Sequence, residues 1–365
     1  MKSGRHSGLV HGVTLLALGL VAAGLSACAT TRLEFSVMVP AEVNLKAKGV
    51  RSLAVTAVDG PEDSEDKISA LLTAKLAEGQ FFTVVEREKL LALEQEQALG
   101  MLGVVDERMA AKAGKALGVD ALLVGTVSAY AAKTEPYTRT VMQRRDTGQV
   151  RKNCYTVEKD GKKQQRCNDM PVYEEVPVEE HHHRRTGTVT ASYRVVVADT
   201  AAVLTGREES ASYLYDTAAA SGPDKGESEI LGLLTETVVT RFINQIQPHR
   251  VTVAREFENG GWLFGDADIK RGIDYVKADR LDEAVAQWES VTKHDPENPS
   301  AWYDLGIGYE LGNQFDRAEQ AYRTAERITA KDSYIQAVGG VRKASERHKK
   351  LQEQMGAPPA KPVSP

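Results

Sequence analysis

The chain has 365 residues, 42% of them apolar, and a formal net charge of −5. That length accommodates two domains with ordinary hydrophobic cores. A slightly acidic balance gives no basis for binding nucleic acid, and removing Lys2 and Arg5 with a leader makes it more acidic still.

The N-terminus has a basic start at Lys2 and Arg5 followed by an apolar run from Val13 to Ala23, too short for a membrane-spanning helix. The run closes at Leu25-Ser26-Ala27-Cys28, which resembles the lipobox of bacterial lipoproteins. The resemblance implies a signal peptide over residues 1–27 and acylation of Cys28, whose acyl chains exceed the two hydrophobic signals that stable anchoring needs. With Ala29 rather than aspartate after the cysteine, it implies a lipid-anchored protein on the periplasmic face of the outer membrane.

Residues 29–50 read as a polar tether, because Pro40, Asn44, Lys46, Lys48 and Gly49 break any steady period. Ser52 to Val58 reads as a buried strand ended by the Asp59-Gly60-Pro61 turn. A helix follows from about Asp66 with Ile68, Leu71, Leu72 and Leu76 at helical spacing and Gly79 as its stop. Phe81 to Val85 predicts a strand, Arg87 to Leu99 a helix, and Asp106 caps another helix that Gly118 ends. Ala121 to Ala129 is the next strand. Thr188 to Ala198 and Val203 to Tyr215 form an antiparallel hairpin around Asp199-Thr200, and Glu227 to Ile246 a helix with Ile230, Leu233, Leu234, Val238, Phe242 and Ile246 on one side. Alternating strands and helices of this length predict an α/β sandwich, a mixed sheet covered by helices, over residues 51–250. Residues 251–265 read as a linker.

Three stretches carry a family resemblance. They are Phe82-Thr83-Val84-Val85-Glu86-Arg87, the run from Ala116 to Val127 through Gly118, Asp120 and Gly125, and Tyr193-Arg194-Val195-Val196-Val197-Ala198-Asp199. With the lipobox, they resemble the CsgG-like (curli production assembly/transport) lipoprotein family. The motifs are structural: Glu86 suits a positive helix end, and the glycines suit a helix stop and close backbone packing. Family members that form pores send two hairpins from each subunit into the membrane. Here residues 133–186, where the first would lie, carry Arg144, Arg145, Asp146, Arg151, Lys152, Glu158, Lys159, Asp160, Lys162, Lys163 and Arg166, so no lipid-facing band can be drawn. Only a short connection from Ala218 to Glu227 stands at the second place. The expectation is the fold without the pore, in an adaptor or scaffold; an oligomeric export channel is the alternative, and a homo-oligomer is compatible with either.

Within residues 133–186, Asp160-Gly161 is a favoured two-residue hairpin turn. Centring the turn there sets Cys154 opposite Cys167 as a non-hydrogen-bonded pair, about 4.5 Å between Cα atoms, which a disulfide accepts. A rigid charged projection is therefore predicted. Glu179-Glu180-His181-His182-His183 has metal-binding residue types without the spacing of a site, and no metal or cofactor is predicted.

Near the C-terminus Gly272 aligns with Gly306, Tyr275 with Tyr309, Leu281 with Phe315, Ala284 with Ala318 and Trp288 with Tyr322, a period of 34 residues. This is the length of a tetratricopeptide repeat, and Trp302, Leu305, Gly306, Tyr309, Ala318, Tyr322 and Ala325 fit its pattern. Asp268 and Arg271 depart from it in the first repeat. Two repeats over residues 266–355 need a capping helix, placed at Tyr334 to Met355 with Gly340 one further period along; residues 356–365, rich in proline, are expected to be disordered. No Gly-x-Ser-x-Gly, His-Glu-x-x-His or phosphate-loop lysine stands in the chain, so a protein or peptide partner on the repeats is expected, and not catalysis.

Overall fold

A computed structural model describes residues 30–61, 64–85, 107–159, 162–219, 222–260 and 266–356. The leader, Cys28, the helix expected over Arg87–Leu99, Asp106, the Asp160-Gly161 turn and the C-terminal tail lie outside the described residues. In chain order the elements are β1 (Thr30–Val39), β2 (Ser52–Asp59), α1 (Ser64–Glu78), β3 (Thr83–Val85), α2 (Glu107–Leu117), β4 (Ala121–Lys159), β5 (Lys162–Val197), β6 (Val203–Asp216), α3 (Glu227–Ile246) and β7 (His249–Glu258). Five helices follow: α4 (Ala267–Lys277), α5 (Leu281–His294), α6 (Pro299–Leu311), α7 (Phe315–Ile328) and α8 (Asp332–Met355). They fall into two units, one of residues 49–243 and one that joins residues up to 48 with residues from 244 onward.

In the α/β unit the sheet order is β3-β2-β4-β5-β6, with β2 parallel to both neighbours and the remaining pairs antiparallel. Leu53, Ala54 and Val55 are buried in succession, as a parallel strand covered on both faces requires. On one face α2 packs Ala110 and Ala113 against Ala54, Leu122 and Val196. On the other, α3 lays Ile230, Leu234, Val238 and Phe242, four residues apart, along the sheet, and the Phe242 ring sits 4.4 Å from that of Tyr193. Leu233, expected in the same stripe, is instead 43% exposed, because the stripe follows the four-residue row. Gly187 lets α3 close on β5: a Cβ there would come within 2.3 Å of Ile230. The Asp120 carboxylate accepts hydrogen bonds from the backbone N–H groups of Arg51 (2.9 Å) and Ser52 (2.8 Å). The Arg51 N–H is the larger cause holding that carboxyl below its ordinary range.

The strand expected to end at Ala129 does not end there. β4 and β5 stay paired from Ala121↔Val197 out to Lys159↔Lys162, with register breaks only at Val127/Ala129 and Asp146/Val150. Directly opposed along this arm are Glu135 and Arg184, Arg139 and Glu180, Arg144 and Glu175, Arg145 and Glu174, Lys152 and Asp169, and Glu158 and Lys163. Each such pair adds about 0.2–1 kcal/mol, which supports a ribbon that buries little. The Arg145–Glu174 contact measures 2.6 Å, and the Arg144 guanidinium lies 4.1 Å from the Tyr173 ring. β6 leaves the pairing at Arg184↔Asp216, so the outer arm extends roughly 80 Å at ordinary strand rise. Cys154 and Cys167 face one another and are disulfide-bonded, with Cα atoms 3.9 Å apart, nearer than the spacing expected for the pair. Cys154→Ser is expected to make the outer arm the first site cut in limited proteolysis, while the α/β core melts unchanged. The bond restrains the arm by about 3 kcal/mol on a chain-entropy estimate, and equal cutting rates with and without it would remove that role.

Residues 30–39, expected within a polar tether, form β1, and residues 249–258, mostly assigned to the linker, form β7. They pair antiparallel from Thr30↔Glu258 to Val39↔His249. The physical reason is an alternation: Leu33, Phe35, Val37 and Val39 turn inward while Arg32, Glu34, Ser36 and Met38 are exposed. Leu33 and Phe35 pack on a core of Phe257, Ile269, Trp288, Leu305, Ile307 and Tyr322. The first strand therefore belongs with the C-terminal helices, which corrects the expected boundaries at both ends of the α/β domain.

Candidate functional surfaces of the repeat unit

Each repeat sets a glycine beneath an aromatic ring. A Cβ on Gly272 would stand 2.3 Å from Trp288, and one on Gly306 would stand 2.5 Å from Tyr322. Trp288 is fully buried and its ring N–H donates to the Ile269 carbonyl at 3.1 Å; Tyr322 donates to Glu310 at 2.9 Å. Ala284, Ala318, Ala325 and Leu305 are buried between the helices. Tyr309 is buried and donates to Glu289 at 2.6 Å; burial first and then that carboxylate push its phenol above the ordinary value. Tyr275 is half-buried beneath the Arg280 guanidinium, and the half-buried Trp302 donates to the Pro296 carbonyl at 2.8 Å. Asp268 and Arg271, the two departures from the repeat pattern, form an exposed ion pair of 3.4 Å. Gly340 is not a third packing glycine: nothing lies within 4 Å of its would-be Cβ. The site residues of the arm, Cys154 and Cys167, lie in the other unit.

α6 also carries Ser300, Asp304 and Glu310, and the chain's own β7 meets all three. The Glu258 N–H donates to Asp304 at 2.9 Å. Ser300 and Tyr334 donate to the Glu258 carboxylate at 2.7 and 2.6 Å, and Lys331 pairs with its other oxygen. Arg255 reaches Glu310 at 2.5 Å, and Phe257 stacks on Trp288 with ring centres 5.7 Å apart. First helices line the concave surface of repeat arrays. Here the chain's own β7 packs on one of them, α6.

Asp304 is wholly buried, and burial holds its carboxyl well above the ordinary value of 3.8. Its other oxygen has no hydrogen-bond partner. A carboxyl raised on folding favours the folded state below its unfolded value and loses that contribution as pH rises through the folded-state value. Asp304→Asn is therefore expected to raise the urea midpoint at pH 7 and leave it unchanged below about pH 4. An equal shift at both pH values would show that burial of the charge is not the cause.

Beside the ribbon lies a cleft of about 430 Å³, walled by Arg32 and Arg255 on one side and by Ser333, Gln336, Lys343 and Arg347 of α8 on the other, over Tyr303 and Tyr322. Arg32 has a loose pair with Glu256 at 3.8 Å, and Arg255 is held by Glu310. Lys343 and Arg347 make no ion pair among the described residues. In the other unit, the three adjacent histidines diverge. His182 lies 5.5 Å from the Tyr137 ring, His183 is 3.1 Å from Asp224, and His181 is 3.4 Å from Thr138. Among the described residues no three potential ligands converge on a metal position.

Residues 56–223 match the family described as the curli production assembly/transport component CsgG, a span from β2 past β6 that includes the whole arm. Residues 269–333 match the tetratricopeptide repeat family. The chain carries a CsgG-type domain followed by tetratricopeptide repeats. The repeats are 33% identical over 66 residues to the tetratricopeptide repeat domain-containing protein PYG7, chloroplastic, of Arabidopsis thaliana. That match covers 17% of this chain, and the chain spans only 22% of that relative's length. Among solved structures, a PelC dodecamer from Paraburkholderia phytofirmans is similar over 59% of this chain and 98% of its own, at 10% identity and a TM-score of 0.25. Lipoprotein GNA1162 from Neisseria meningitidis is similar over 53% and 98%, at 17% identity and a TM-score of 0.28. No described helix is long and apolar enough to cross a membrane.

Proposed function

We propose that this protein is a scaffold or adaptor of an envelope assembly or secretion machine, held by acylated Cys28 on the periplasmic face of the outer membrane. The union of a CsgG-type domain with protein-binding repeats carries this reading. Because β7 already occupies part of α6, protein partners dock on the exposed sides of α5 and α7 or along the charged arm. The chemistry of the chain is recognition and not catalysis. Photo-crosslinkers at Gln320 on α7 and Thr156 on the arm, both exposed, test it in the native envelope. Discrete protein adducts are expected, and their absence at both positions in a folded, exported protein sinks the scaffold. Cys28→Ser is expected to release the protein into the soluble periplasmic fraction; a wild-type protein already found there removes the anchor. Single-channel conductance in planar bilayers would favour the export-channel alternative, against which the opposed charges on both faces of the arm speak.

A further inference from the structure

We propose that the basic cleft of the repeat unit is a seat for an anionic lipid headgroup, so that the repeats lie against the membrane with Arg32, Lys343 and Arg347 around a lipid phosphate. The inference rests on the anchoring reading for its geometry. Arg32 stands four residues after Cys28, and an extended chain of that length reaches at most about 14 Å. β1 begins at Thr30, two residues after Cys28 in the sequence, and one wall of the cleft is the ribbon itself.

The lining fits a phosphate. Lys343 and Arg347, four residues apart on α8, project from one side of the helix and have no carboxylate partner among the described residues. Arg32 adds a third cation, 65% exposed and only loosely held by Glu256. The hydroxyl oxygen of Ser333, buried and without a hydrogen-bond partner, lies in the same lining and supplies a neutral donor. Glu256 and Glu310 in the same lining disfavour an acidic peptide of several carboxylates more than a single phosphate held by three cations.

The test uses the full mature chain carrying Cys28→Ser, so that acyl chains do not hold it to vesicles. It is expected to sediment with phosphatidylcholine vesicles containing phosphatidylglycerol, and not with phosphatidylcholine alone, in a salt-sensitive way. Lys343→Glu with Arg347→Glu should weaken that binding on the order of tenfold or more, with helical circular dichroism unchanged. Lys349→Glu with Lys350→Glu, exposed on the same helix outside the cleft, should leave it near wild type. Equal losses in the two charge-reversed chains, or no loss in the first, overturn the seat. So does release by dilute glycerol phosphate, which marks a small-anion site, or binding of a polyglutamate peptide while vesicles are ignored, which marks a peptide site. Mass analysis of the native N-terminus judges the anchor separately: an unmodified Cys28 defeats the anchoring reading whatever the vesicles show.

Discussion

Trp288→Ala is expected to destabilise the repeat unit by about 3–5 kcal/mol, the range for truncating a buried aromatic. The residue is fully buried, stacks on Phe257, and fills the hollow above Gly272, with Gly308 approaching its far edge. Its ring N–H is satisfied by the Ile269 carbonyl, so truncation also leaves that carbonyl short of a partner. Gly272 and Gly308, which border the hollow, have no side chains to refill it. Urea unfolding followed by circular dichroism at 222 nm reads the change. A loss below about 1 kcal/mol would mean that the ring is peripheral to the core. Gly272→Val approaches the same hollow from the other side and should be comparably damaging, since its Cβ alone falls within 2.3 Å of the ring.

Glu258→Ala carries the second large effect. The carboxylate is buried and accepts from Ser300 and Tyr334 while pairing with Lys331, and its own N–H donates to Asp304. Hydrogen bonds to a charged group contribute about 1.5–3 kcal/mol each, net of the water they replace. Lys331 is half exposed, so its share is largely screened. A total loss of roughly 3 kcal/mol follows from the two hydroxyl donors left without an acceptor. The loss should appear locally, as faster amide hydrogen exchange in β1 and β7 together, because the ribbon is pinned at this end. Exchange that quickens evenly through the helices would show that Glu258 stabilises the repeats without holding the ribbon.

How legible all this was in the sequence depended on the distance between partners. The repeats were readable because Gly272 and Trp288, or Gly306 and Tyr322, are near neighbours whose spacing recurs once more along the chain. The helix Glu227–Ile246 showed its apolar row, although Leu233 was misplaced by a single step around the helix. The Cys154–Cys167 register followed from counting outward from one turn. β1 escaped notice because its partner lies more than two hundred residues away. The alternation of Leu33, Phe35, Val37 and Val39 is the local signal, and Pro40 and the lysines beyond it mask it. The arm's continuity was hidden for another reason: its opposed charges cancel only once the register is known, and separately each strand reads as a solvated stretch. The cleft joins Arg32 to Arg255, Tyr303 and Arg347, four segments that only the folded chain assembles.

The pairing of β1 with β7 sets an order of events. The α/β unit is encoded between the two strands, so as the chain is made β1 waits for its partner until the entire intervening domain has been delivered. During that interval Leu33 and Phe35 have no cover, and a bare strand edge invites pairing with foreign chains. Slow folding of the inserted domain thus prolongs the exposure of this edge more than in a protein whose domains close sequentially. The ribbon closes only after β7 has been made, and the core that it shares with the repeats is completed later still.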